Sequence, residues 1–387
     1  MNFSAFGDSP ENREFTLEVR RFLAASLTEE VRARLNATRD EHDPEFFRDL
    51  GRWGWIMPHW PVYAGGAALS AEQTHILNSE MERVEAPMAN LSPTRLVLPA
   101  VAKHGSKELV DEVMPDVTSG RAAISLGYTE AEGGSDIAAV KTSAVRDGEE
   151  WVISGAKLFT TGAHFCRYSF LLTMTDPLAP KRQGLTMFLI PLESKGVEVQ
   201  ALRTMGERTN IVYYSDVRIS DRYRVGPVNG GWSVLQEPLA AEHDAGQEDA
   251  VLKIGGGTMY VRRLALALDA AIRWAGRPVS LGGRRPIDDP KIVSRLARVA
   301  LDIEVAASVP GLGGRVVAAD SFIRCTADLT DLVGPDGLDA ATDADAASIA
   351  QWHRRAQVAS IYGGSVEVFR NLIARELGLP AQRYAEH

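Results

Sequence analysis

The periodicity of apolar residues changes twice along the chain, and that change limits the folds open to it. From about residue 10 to 118 the spacing is helical. Phe15, Val19, Phe22 and Leu23 recur on one helix face. Asp43-Pro44 predicts the start of a second helix through Phe46, Phe47 and Leu50, with proline at a tolerated first-turn position. Ala64-Gly65-Gly66 is a break. Ser70 and Gln73 have capping-box spacing ahead of a helix through Ile76, Leu77 and Met81. Leu109 to Val113 belongs to another helix, and Gly120 ends the region. From about 121 to 225 short runs rich in β-branched and aromatic residues take over: Trp151 to Ile153, Tyr168 to Thr173, Leu185 to Ile190, Val197 to Val199 and Ile211 to Tyr214. From about 230 the chain is helical again. Met259 to Trp274, with Leu264, Leu266, Leu268, Ala271 and Ile272, reads as a well-buried helix. Ile292, Leu296, Val299 and Ile303 mark another, and Gln351 to Leu377 holds at least one more. The polar stretch Asp331 to Ala347 reads as a loop. The expected fold is α+β and multi-domain. It comprises an N-terminal helical domain (1–120), a central antiparallel β domain built as a barrel or sandwich (121–228), and a C-terminal helical bundle (229–387).

Composition narrows the function. Of 387 residues, 45% are hydrophobic and 24% charged, enough to bury a sizeable core. The formal charge of -9 and the lack of a basic tract argue against a nucleic-acid partner. The two cysteines, Cys166 and Cys325, lie far apart, which excludes a disulfide scaffold or cysteine zinc cluster and fits a reducing compartment. No uncharged apolar run approaches the ~20 residues that cross a bilayer. The mixed, mildly acidic start reads as no signal peptide. A cytoplasmic protein without a membrane span is the expectation. Gly255-Gly256-Gly257 and Gly311-Leu312-Gly313 fail to complete GxGxxG, because Tyr260 and Val316 stand at the third glycine. There is no Walker lysine, HExxH or GxSxG, and no metal site is expected.

Two segments carry candidate chemistry. Tyr128-Thr129-Glu130-Ala131-Glu132-Gly133-Gly134-Ser135-Asp136 places hydroxyls on either side of a double glycine. Such a loop can turn N–H groups toward a phosphate or ring carbonyl, although alone it is also an ordinary turn. Lys157-Leu158-Phe159-Thr160-Thr161-Gly162 puts an aromatic and two hydroxyls at a strand end. With Trp55 to Gly66, Asp216 to Ile219, Arg285 to Pro290, and Ile361-Tyr362-Gly363-Gly364-Ser365-Val366-Glu367 with Arg370-Asn371, they form an ordered set that resembles the acyl-CoA dehydrogenase family over nearly the whole chain.

The resemblance implies FAD held between the β domain and the bundle, and a homotetramer or homodimer in which a neighbour completes the flavin site. It implies that Leu126, Tyr128 and Thr129 lie along the isoalloxazine, Thr129 donating near N1 or O2. Ser135 meets the pyrophosphate, Phe159 covers a ring face, Thr161 bonds near N5, and Ser365 and Glu367 reach the cofactor from the last helices. The implied reaction is α,β-dehydrogenation of an acyl thioester, bound to CoA or a carrier protein, in lipid metabolism. A carboxylate takes the α-proton, flavin N5 takes the β-hydride, and an electron-transfer flavoprotein accepts the electrons. Many members carry the base directly after the tyrosine of the C-terminal motif, where this chain has Gly363. Others carry it on the first bundle helix. Aligning Gly231-Trp232 with that helix start makes Glu242 the expected base, with Asp244 and Glu237 as its nearest competitors.

Further departures are His243 where arginine is usual, Phe369 where glutamine is common, and the acidic Asp331 to Asp345 segment, which replaces a segment that touches a neighbour's flavin. They suit an unusual substrate or a heteromeric assembly with a related chain. Arg273, Arg277, Arg284 and Arg285 are candidate phosphate ligands or a solvated helix end. Two other readings stay open: a non-catalytic subunit of a heteromeric dehydrogenase, and a flavin oxidase or N-monooxygenase on the same fold.

Overall fold

The computed structural model describes residues 9–38, 41–206, 208–243, 257–278, 283–338 and 343–379, without the side chains of 36–38, 240–243 and 258. The described residues fall into two compact units. One comprises the described residues within 9–204 and 208–241, and the other chiefly those within 257–379.

The first unit opens with helices α1 (Pro10–Ser26), α2 (Glu29–Thr38), α3 (Pro44–Arg52), α4 (Ala71–Arg83), α5 (Leu91–His104) and α6 (Lys107–Thr118). Their starts follow the cap chemistry in the sequence. The Asp43 carboxylate accepts the N–H groups of Glu45 and Phe46, and Ser70 and Gln73 complete a capping box. Strands β1 (Ile124–Gly127), β2 (Ser143–Asp147), β3 (Glu150–Lys157), β4 (Tyr168–Met174), β5 (Leu185–Pro191), β6 (Val197–Arg203), β7 (Arg208–Ser220) and β8 (Arg224–Val225) form one sheet in the order β6-β7-β3-β2-β4-β5-β8, with β1 beside β4. Most pairs are antiparallel, but β1 and β2 run parallel to β4. β4 and β5 are buried on both faces. Tyr168, Phe170 and Leu172 join the helical core, whereas Leu171, Phe188 and Ile190 face a second core with Trp151, Val212 and Tyr214. This period of two explains why both strands read as continuous apolar runs. Helix α7 (Gly231–His243) follows the sheet.

The second unit packs α8 (Thr258–Ala275), α9 (Pro290–Ser308), α10 (Gly311–Val333) and α11 (Ala344–Ala356) around Tyr260, Leu264, Phe322, Leu329 and Trp352, with α12 (Val366–Glu376) against α10. Two expectations are corrected here. Ile272 is 42% exposed, on the outer face of α8. Asp331 to Ala347 is not one loop, because α10 runs to Val333 and α11 begins at Ala344 with the Asp343 side chain as its cap. No helix among the described residues is long and apolar enough to cross a membrane, and none of them form a metal-binding cluster.

Candidate functional site

The two candidate segments, about thirty positions apart in sequence, meet at the ends of β1 and β3. Leu158 N donates to Thr129 O at 2.9 Å. Lys157 is wholly buried and donates to Glu130 Oε1 at 2.7 Å and to Tyr128 O at 3.3 Å. Glu130 also accepts the backbone N–H of Lys141 at 2.7 Å and of Thr142 at 3.0 Å. One carboxylate therefore closes the base of the 130–142 loop, which carries Ser135, and ties it to the end of β3, just ahead of Phe159. Burial pushes the Lys157 pKa down to about 8, opposed by the charge and hydrogen bond of Glu130. Partial burial pushes Glu130 up, but the charge and hydrogen bond of Lys157, with the bonds from Thr142, outweigh it and leave Glu130 below its ordinary value.

The predicted residues of this unit take defined places. Tyr128 is buried, Leu126 and Thr129 are half-buried, and Ser135 and Thr161 are exposed. Phe159 is 56% exposed although it is a large aromatic, and its φ is +56°. A left-handed backbone costs a non-glycine residue roughly 1–2 kcal/mol. It is held here by hydrogen bonds from Thr160 N to Asn210 O and from Thr161 N to Phe159 O, both 2.9 Å. The Thr161 hydroxyl meets that of Thr209 at 3.0 Å. Thr209, Asn210 and Asn90, which also bonds this turn, carry no motif signal of their own.

Glu237, one competitor for the base, pairs with Lys103 at 2.5 Å and His104 at 3.1 Å. The Lys103 hydrogen bond holds its pKa below the ordinary carboxylate range, which ill suits a proton acceptor. Glu242 sits in the last turn of α7, and its side chain lies outside the described residues, as does Asp244. A cleft of about 470 Å³ lined by His104, Glu149, Asp221 and Arg224 contains none of the predicted site residues.

In the second unit the turn between α11 and α12 is held from beneath. Arg315, 3% exposed, donates to Ala359 O at 3.0 Å and Tyr362 O at 2.9 Å. Its guanidinium lies against the rings of Tyr260 and Phe369, which gives the buried Phe369 a structural use. Gly363 and Gly364 both have positive φ, +66° and +96°, so a glutamate at 363 would be strained in this turn. Ser365 caps α12 by accepting Val368 N at 3.4 Å, and Glu367 is exposed in its first turn. The candidate phosphate arginines are bound to carboxylates: Arg273 to Asp345, Arg277 to Asp343 and Asp345, and Arg285 to Asp288, each within 2.9 Å, while Arg284 bonds Asp288 O at 3.4 Å. The arginines stay about half exposed in these pairs.

Residues 9–121, 125–220 and 314–378 match the N-terminal, middle and C-terminal domain models of the acyl-CoA dehydrogenases. Acyl-CoA dehydrogenase FadE26 of Mycobacterium tuberculosis is 31% identical over 306 residues, 77% of this chain and 73% of the relative. In structure the chain is similar to one in the ChsE4-ChsE5 complex from Mycobacterium tuberculosis, with TM-score 0.81, 25% identity, and 97% and 99% of the two chains covered. It is equally similar to the Tcur3481-Tcur3483 steroid ACAD, with TM-score 0.81, 26% identity, and 97% and 99% covered. The fold is that of the acyl-CoA dehydrogenases, which are oxidoreductases. The chain belongs to the acyl-CoA dehydrogenase family, whose members are flavoproteins, and FAD is the expected cofactor. The donor set fits that group. Neutral hydroxyls at Thr129, Ser135 and Thr161 suit ring heteroatoms and a pyrophosphate, and an exposed aromatic held in a strained turn suits a planar ring.

Proposed function

We propose that this chain dehydrogenates an acyl thioester at its α,β bond, with Glu242 as the base and an electron-transfer flavoprotein as electron acceptor. The observation that carries the reading is the Lys157–Glu130 clamp, which joins the two family motifs and leaves Phe159 and Thr161 facing outward. FAD, when bound, supplies the hydride acceptor. Thr129 and Thr161 would donate hydrogen bonds to its ring, Ser135 would donate to its pyrophosphate, and Phe159 would cover one ring face and keep water from it. Leu126 and Tyr128 would line the ring edge. The Glu242 carboxylate takes the α-proton, the task that glycine at 363 cannot perform. The protein acts in the cytoplasm on lipid-derived thioesters.

The likeness to a steroid ACAD supports a bulky, polycyclic acyl group over a short straight chain. A panel of acyl-CoA thioesters of both kinds, added anaerobically to the flavin-loaded protein, tests this. The polycyclic thioester bleaches the flavin, and bleaching by butyryl-CoA alone contradicts the assignment.

A second reading is favoured by Gly363 and by the likeness to a two-protein complex. In it the chain works with a related chain instead of as a homo-oligomer. Co-expression with a related chain then yields a mixed complex that holds more flavin per chain than this chain alone.

A further inference from the structure

Asn90 precedes α5 and is 4% exposed, with φ at +62°. One side-chain nitrogen serves two distant segments. Nδ2 donates to Ile124 O, the first carbonyl of β1, at 3.2 Å, and to Thr161 O at 2.9 Å. The next residue, Gly162, has φ +75°, and a Cβ built there would lie 1.9 Å from Asn90 Oδ1. The amide is thus packed flat against the turn, and only glycine fits opposite it. From the other side Asn210 accepts Thr160 N at 2.9 Å and donates to Thr160 O at 3.0 Å. The carbonyls of Thr160 and Thr161 are therefore held by two asparagines from separate elements. The strained Phe159 and the exposed Thr161 hydroxyl stand on that clamp.

We infer that Asn90 is a positioning residue for the flavin face. By fixing the Thr161 carbonyl to β1, it sets the orientation in which Phe159 and Thr161 meet the cofactor. The inference rests on the proposed flavin-dependent function for its consequence, but the clamp itself can be read without flavin. A merely structural role would consist of tying α5 to β1. Thr94 does that independently, because its hydroxyl, fully buried, accepts Ile124 N at 3.1 Å without touching the turn.

The test compares Asn90→Gly, which keeps the positive φ and removes the amide, with Thr94→Val. Asn90→Ala, uncharged and without the donor, serves if the glycine variant fails to fold. Hydrogen exchange in the flavin-free proteins is expected to be at least tenfold faster at the amides of residues 160–163 in the Asn90 variant, and unchanged there in Thr94→Val. FAD titration is expected to give roughly tenfold weaker binding and an altered visible circular dichroism of the bound flavin for the Asn90 variant alone. Unchanged exchange at 160–163, or equal effects from both variants, overturns the inference. Faster exchange confined to the Asn90 variant, in a protein whose parent binds no FAD, keeps the clamp and sinks the proposed function instead.

Discussion

Replacing Lys157 with methionine removes the cation that faces Glu130 while preserving most of the buried stem. Lys157 is wholly buried and the Glu130 side chain is 10% exposed, so the carboxylate loses its partner in a place that water barely reaches. Breaking such a pair costs about 3 kcal/mol, which for a unit of this size lowers Tm by roughly 6–12 °C. The reciprocal variant, Glu130→Gln, has a distinct pH signature. In the parent, Lys157 titrates near 8 against an ordinary value of 10.5. Without the Glu130 charge its folded pKa falls further, so from that lower value up to 10.5 the unfolded chain binds more protons than the folded one, and stability rises with pH across that window. The deficit of Glu130→Gln relative to the parent therefore shrinks as pH rises toward 8, whereas that of Lys157→Met does not. Thermal unfolding followed by circular dichroism across that range reads both effects. A Lys157→Met protein that melts within 1 °C of the parent, about the scatter of small surface changes, or a Glu130→Gln deficit that grows with pH, would refute the reasoning.

Three further outcomes are expected. Glu242→Gln retains FAD but loses thioester-dependent bleaching, and a variant that bleaches as fast as the parent moves the base elsewhere. Phe159→Ala weakens FAD binding about tenfold, the worth of one aromatic stacking contact, with Tm nearly unchanged because the ring is exposed. Gly162→Ala costs at least about 2 kcal/mol, since alanine is strained at positive φ and its Cβ meets the Asn90 amide; chemical denaturation measures it.

Local chemistry was legible in the residues and long-range pairing was not. Asp43 and Ser70 announce helix starts because the capping bonds span only a few positions. Strands β3 to β7 show as β-branched runs, whereas β1, β2 and β8 are short and carry too little pattern to stand out. Glu130 and Lys157 lie inside recognisable motifs, yet nothing local says that they pair with each other. Asn90 sits in a stretch with no motif and acts across a separation of 71 positions. The acidic segment misled for a related reason: Asp343 caps α11 and binds Arg277, and Asp345 in its first turn binds Arg273, so their polarity does not mark a loop.

The most direct measurement is an anaerobic visible spectrum of the purified chain loaded with FAD, taken before and after adding a polycyclic acyl-CoA. The account predicts a bound-flavin spectrum that bleaches with one equivalent of α,β-unsaturated product formed per flavin. A chain that fails to retain FAD under saturating cofactor, or a bound flavin that every thioester leaves oxidised, would contradict it.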